Sequence, residues 1–423
     1  MIAFPFVYFS IWFIVEFRKR GLDAYTFIIL LYTIISFFAI LIDVMDLYYN
    51  HSCVKYPSLG LIAPVLYVVL LTICIKPFSR VTGNTIQKLA GGISERKFNL
   101  VVYAYFTMFL IVFAASLTRI QEILLSNALA EVRNEAYQGE AGMWYDSVKG
   151  LPRMICGVCH ILAPSSFIMI PFFFIGMIHF KKGFPYSALT LLGSLTMLLI
   201  AIHIADRSNF VYWGLTFVFC YVLFKHRLSS KTKFYFSILA IIFGVIMLSY
   251  FINVTVSRFG EREGGYSGGL IIYAGQSYIN FCNFFNHLIF EVPHKPEIVL
   301  FPNINRYILN GPTYFEYADQ LSLIYSHTVS NFSTFIGLIM SISGLEITIL
   351  YCLIYNFITR IALWRPSAKH ITIRQFSYFW ILVLVPLLGL FGYFYLPPNT
   401  VLAAFVWWII GLFLTPKNVH KNV

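Results

Sequence analysis

Apolar stretches of roughly 20 residues, the length that crosses a hydrocarbon core about 30 Å thick, recur from one end of this chain to the other. They predict helices at approximately 2–16, 24–43, 60–75, 99–117, 155–178, 187–204, 209–224, 234–254, 337–358, 377–396 and 400–415. The expected fold class is therefore all-α: a polytopic integral membrane protein of about eleven transmembrane helices, with residues 1–423 forming a single membrane domain.

Two intervals between apolar runs are long. In 118–154, the stretch Ile120 to Ala136 places apolar residues at helical spacing among Glu122, Glu131, Arg133 and Glu135. This predicts an amphipathic helix lying on the membrane surface. The interval 255–336 opens with a polar, glycine-rich segment, Ser257 to Gly269, and turns apolar again from Leu270 to Phe290. A crossing there would put either the Arg360 or the Lys225 cluster of cations on the wrong side, so the segment reads as a re-entrant or interfacial element buried against protein.

Composition agrees with a membrane solvent. The chain is 59% hydrophobic and 11% charged, with a mean hydropathy of +0.76, against about 25% charged residues in an ordinary globular domain. The net charge of +12 raises nucleic acid as a partner, but the cations sit in short clusters between apolar runs and form no basic face. They report topology instead. With the amino terminus outside and the carboxyl terminus in the cytoplasm, the cytoplasmic segments hold twenty of the 30 Lys and Arg residues, including Arg18–Lys19–Arg20, Lys181–Lys182 and Lys225 to Lys233. That asymmetry is what the positive-inside rule demands. Met1 to Val15 lacks a positive leading region and a small-residue cleavage site, so it is expected to stay as a helix. Both long intervals then lie outside.

Seven scattered cysteines, most within apolar runs, make a disulfide framework improbable. Cys156-Gly-Val-Cys159-His160 matches the haem-attachment spacing, but it opens an apolar helix where buried cysteine is ordinary. No phosphate-binding glycine loop, no zinc-protease helix and no nucleophile elbow occurs. The chemistry on offer is polar and charged, at the outer surface.

Asp206-Arg207-Ser208-Asn209 is a polar turn wedged between two apolar helices. Arg207 can present a planar donor fork to a phosphate, or Asp206 and Arg207 can pair to close a hairpin. Arg258 and Arg262 stand one helical turn apart beside Glu261 and Glu263, fit either to clamp an anionic head group or to form a solvated charge run. Asn303, Asn305, Arg306, Tyr307, Asn310, Tyr314, Glu316, Tyr317 and Asp319 combine amides, carboxylates and rings in the way a sugar requires. His327 is the side chain nearest neutrality at that edge, and Glu346 is a carboxylate within an apolar helix, by default a functional-site candidate.

Taken together, the chain resembles the Wzy-type O-antigen and oligosaccharide-repeat-unit polymerases of bacteria over nearly its whole length. The stretches that carry the likeness are Asp206 to Asn209, Gly269-Leu-Ile-Ile-Tyr-Ala-Gly-Gln-Ser277 with its Tyr273 and Gln276, and Asn331-Phe-Ser-Thr-Phe-Ile-Gly337 ahead of Gly344. Many members carry an aspartate two residues before the glycine matching Gly344; here that residue is Ile342. The resemblance implies a GT-C-like, metal-independent membrane glycosyltransferase without cofactor in the bacterial inner membrane. Its donor and acceptor would both be undecaprenyl-diphosphate-linked oligosaccharides, with a chain-length regulator protein as a further partner and no nucleic acid. Under that implication Arg207, Arg258, Arg262 and Arg306 hold the diphosphate, and Glu316, Asp319 or His327 deprotonates the acceptor. An O-antigen ligase acting on lipid A core and a lipid-linked-oligosaccharide flippase are the competing readings.

Overall fold

The computed structural model of the protein describes residues 1–48, 60–81, 89–90, 92–125, 143–203, 206–234, 236, 238, 244–245, 265–287, 294–325, 333–364 and 371–416. Among these the chain is helical apart from two paired strand fragments, Leu89–Ala90 and Ile371–Thr372. In chain order the helices are α1 (Phe4–Arg20), α2 (Ala24–Val44), α3 (Ile62–Ile75), α4 (Glu95–Leu125), α5 (Leu151–Leu162), α6 (Met169–His179), α7 (Phe184–Ser194), α8 (Thr196–His203) and α9 (Ser208–Phe224). They continue with α10 (Gly265–His287), α11 (Pro296–Leu300), α12 (Pro302–Tyr307), α13 (Tyr314–Tyr325), α14 (Phe335–Ala362), α15 (Ile373–Leu388) and α16 (Pro398–Leu414).

Five of the described segments are long and apolar enough to cross a membrane: Ala24–Val44, Ile62–Arg80, Glu95–Leu117, Leu151–His179 and Phe335–Ala362. The pair α7 and α8, bent by 41°, makes a sixth if it counts as one span. The segments expected at 2–16, 209–224, 377–396 and 400–415 are helices α1, α9, α15 and α16, each shorter than 18 residues. The segment at 234–254 falls largely outside the described residues. Leu350, Leu353, Ile354, Phe357, Ile358 and Ile361 form an exposed apolar stripe along α14 at helical spacing, a surface suited to lipid rather than water. This is an all-helical, membrane-embedded protein.

The described residues gather into two compact units. The first comprises 1–85, 267–369 and 378–401. It begins with a helical hairpin in which Gly21 (φ 66°) caps α1 through its amide to Phe17 O, and the Asp23 and Thr26 side chains close a capping box on α2. Tyr67 of α3 is fully buried, its ring 4.9 Å from Tyr278 and 5.1 Å from Phe281 of α10.

The apolar segment expected to be re-entrant or interfacial is the 23-residue helix α10. It meets α2 backbone to backbone: a Cβ placed on Gly275 would lie 2.4 Å from Phe38 C and 2.5 Å from Ala39 N. Small residues permit this in membrane bundles, where close van der Waals packing replaces the hydrophobic drive.

Two helices of this unit are interrupted, and both have their freed carbonyls satisfied. Pro386 inside α15 cannot donate to Leu382 O; Tyr355 Oη of α14 donates to that oxygen at 2.6 Å. Tyr355→Phe should strand the carbonyl in an apolar interior and destabilise the unit by about 1–3 kcal/mol, readable as a lower melting temperature in detergent. An unchanged melting temperature would mean another donor serves Leu382. In α14 the break is Gly344 (φ 80°, ψ 172°). Lys295 N donates to Ile342 O at 2.9 Å, and the His294 ring lies 2.7 Å from where a Gly344 Cβ would stand.

The second unit comprises 86–266, 370–377 and 402–423. Its longest span, Leu151–His179, contains a 3₁₀ stretch at Ala163–Ile168, where Pro164 interrupts the α-helical ladder. Ser165 there is held from two sides: its Oγ accepts from Tyr105 Oη and its carbonyl from Trp407 Nε1, both at 2.7 Å. Phe173, Phe174, Phe217, Phe224 and Phe236 form an aromatic cluster with ring separations of 5.2–6.3 Å. Helix α4 runs without interruption to Leu125, so the start of the expected surface helix at Ile120 is the end of α4; residues 126–142 lie outside the described residues.

Candidate functional site

In the second unit the turn ahead of α9 is built around Asp206. Its carboxylate accepts from Ser208 N (3.0 Å), Ser208 Oγ (2.7 Å) and Asn209 Nδ2 (2.6 Å), while Asp206 N donates to Ala201 O at 2.8 Å. Short polar side chains at a helix start satisfy amides that have no partner inside the helix, so Asp206 serves as an anionic cap. Arg207 is the N-cap residue itself, half-buried, with no side-chain cap bond to the helix amides. A guanidinium at the positive end of an apolar helix is unfavourable by about 0.3–1 kcal/mol. The placement is compatible with an anion that both the helix end and the arginine would hold.

In the first unit three short helices carry the second group of candidates. Asn305 is buried and ties the connection down, donating through Nδ2 to Pro312 O (2.7 Å) and accepting at its own carbonyl from Gly311 N (2.8 Å). A Cβ on Gly311 would meet Asn305 Oδ1 at 2.1 Å, so only glycine fits there. Thr313 and Glu316 then form a capping box on α13: Thr313 N donates to Glu316 Oε2 at 2.6 Å and Glu316 N to Thr313 Oγ1 at 3.3 Å. Arg306 Nη1 stands 3.5 Å from the same Glu316 Oε2.

The structure thus brings together Arg306 and Glu316, a diphosphate candidate and a base candidate. The Thr313 amide bond above all, with the Thr313 hydroxyl and Arg306 after it, holds the Glu316 carboxyl below its ordinary value. A carboxylate so stabilised is a weaker base at neutral pH. Asp319 is exposed one turn further on. Tyr314 and Tyr317 are buried, with Lys295 Nζ 4.9 Å above the Tyr317 ring; of the three tyrosines expected to face a sugar, only Tyr307 is exposed.

The remaining candidates divide between buried and exposed positions of the first unit. Tyr273 is half-buried on α10 and Gln276 is buried, its Oε1 without a hydrogen-bond partner. Glu346 follows the break at Gly344, exposed in the first turn of the helical segment that restarts there. An acid at that point complements the helix dipole, a local role open to it besides chemistry. Arg258, Arg262 and His327 lie outside the described residues.

Among the described residues no three His, Cys, Asp or Glu side chains converge as metal ligands, and the described cysteines, Cys156 and Cys159 included, are buried and unbridged. Sequence reading passes over His294 and gives Ser333 and Thr334 no role beyond their place in the stretch Asn331 to Gly337; the conformation of Gly344 and the burial of the two hydroxyls that single them out have no signature in hydropathy. Compared with protein-family models, curated proteins and solved structures, the chain matches none.

Proposed function

We propose that this chain is a membrane glycosyltransferase that polymerises undecaprenyl-diphosphate-linked oligosaccharide repeat units at the outer face of the bacterial inner membrane. The observation that carries the reading is Arg207 at the start of α9, next to an aspartate already bonded by Ser208 and Asn209. A cation in that position suits a membrane-borne anion, and the resemblance to the repeat-unit polymerases names the diphosphate. The same reading includes about eleven crossings, a GT-C-like arrangement, an outer amino terminus and a cytoplasmic carboxyl terminus.

In this reaction the acceptor hydroxyl attacks the anomeric carbon of the donor glycan. The carbon–oxygen bond to diphosphate breaks, and the bonding pair leaves with the diphosphate oxygen. Arg207 stabilises that departing charge, the kind of preorganised electrostatic help that contributes most to catalysis. The hydroxyl proton passes to a carboxylate or imidazole, with Asp319 and His327 as candidates beside Glu316, whose carboxylate caps α13. The test is a gel of surface polysaccharide and lipid-linked intermediates with and without the gene. Collapse of the ladder to one repeat unit on lipid A core is expected. Polymer persisting on undecaprenyl diphosphate would identify a ligase instead, and an unchanged ladder would refute the reading.

A further inference from the structure

The opening turn of α14 carries a set of hydrogen-bond donors that the protein does not use. Thr334 is its N-cap (φ −62°, ψ 162°), yet its side chain makes no cap bond. Oγ of Ser333 and Oγ1 of Thr334 both lack a hydrogen-bond partner, although the residues are only 1% and 0% exposed. Ser333 is aimed into the turn: its Oγ lies 2.0 Å from the position a Cβ on Gly337 would take, space that only glycine leaves.

Helix α10 closes the place from the side. Phe281 Cβ is 3.4 Å from that same point. The amide of Phe335 is engaged by Gly389 O at 2.9 Å, and Phe335, Ile336 and the rest of the first turn are buried.

A buried hydroxyl left without a partner forfeits the hydrogen bonds it made with water, and water is scarce in a membrane interior. Two on adjacent residues at a helix start call for a ligand. The helix start adds positive potential, and hydroxyls can turn to donate. These groups carry no formal positive charge, so they would not offset the desolvation of a doubly charged phosphate. A compact, singly charged ion is the species they match.

We propose that the start of α14, with Ser333 and Thr334, is a buried binding site for a monovalent anion of halide size. This inference is independent of the glycosyltransferase reading and survives its failure.

The full chain, purified in detergent, is to be melted in chloride and in gluconate at constant ionic strength, and chloride exchange followed by ³⁵Cl line broadening. Saturable broadening that bromide competes away is expected, with a chloride-specific rise in melting temperature of about 2–4 °C. Ser333→Ala and Thr334→Val should each lose most of that rise, while Arg207→Ala keeps it. No saturable broadening and no chloride-specific rise would mean the hydroxyls are hydrated, and would overturn the site. Broadening unaffected by Ser333→Ala places the ion elsewhere and overturns it too, as would inorganic phosphate stabilising more than chloride. Should neither variant fold, anomalous scattering from bromide-soaked wild-type crystals decides: a peak at the start of α14 supports the site, its absence refutes it.

Discussion

Arg207→Ala is expected to reduce polymer formation by about 10²–10³-fold, the loss seen when one preorganised donor to a developing negative charge is removed. The ladder should fall to single repeat units while the protein stays in the membrane at wild-type amounts. The second half of that expectation follows from the turn's construction. Asp206 is held by the Ser208 amide, the Ser208 hydroxyl and the Asn209 side chain, and those bonds remain when the arginine side chain is gone. Removing a cation from the positive end of α9 relieves an unfavourable dipole interaction, and wild-type amounts of the variant in the membrane separate a loss of activity from a loss of fold. Arg207→Lys should fall between the two, keeping charge but losing the planar fork that matches two phosphate oxygens. Wild-type chain lengths in Arg207→Ala would refute both the residue's role and the diphosphate reading of the turn.

Gly275→Ala should cost the first unit up to about 3 kcal/mol, at the severe end for inserting one carbon into a packed interior. The obstruction is backbone, not a side chain that can swing aside: Phe38 C, Ala39 N and Phe38 O all lie within 2.6 Å of the new Cβ. The α2 and α10 backbones must separate, and the Tyr67 contacts with Tyr278 and Phe281 loosen with them. The matched comparison is Gly214→Ala on α9, where nothing lies within 4 Å. There the change should be neutral or add up to about 1 kcal/mol, since alanine is the better helix former. Melting temperatures in the same detergent separate the two positions. Equal effects would mean that α10 does not pack on α2 as described.

The positions of the helices were legible in the chain because a membrane solvent imposes a simple condition: each crossing needs an unbroken apolar run. Helices α2, α3, α5 with α6, and α14 fall where those runs predict them. Hydropathy has no means of registering what happens inside a run. The segment around Gly344 reads as continuous, yet the helix breaks there, because glycine tolerates the left-handed backbone and Lys295 and His294, distant in sequence, take up the carbonyl and the vacant side of the residue. Tyr355 looks like any interfacial tyrosine until Pro386 is found to have freed the carbonyl it serves.

Among the site candidates, the Thr313-x-x-Glu316 pattern was readable as a capping box, and it is one. That pattern marks Glu316 as a helix-capping side chain, a role that the nearby Arg306 leaves in place. Tyr314 and Tyr317 could not be sorted from Tyr307 by composition, since burial depends on which face α13 turns inward, the face on which Lys295 lies over the Tyr317 ring. The sequence alone determined where helices form and that their solvent is lipid, since both depend on residues near one another in the chain. Only the tertiary structure decided which polar groups are left for a ligand, because that is settled by partners arriving from elsewhere: Asp206 is satisfied within its own turn, whereas the hydroxyls of Ser333 and Thr334 are buried where no protein group bonds them.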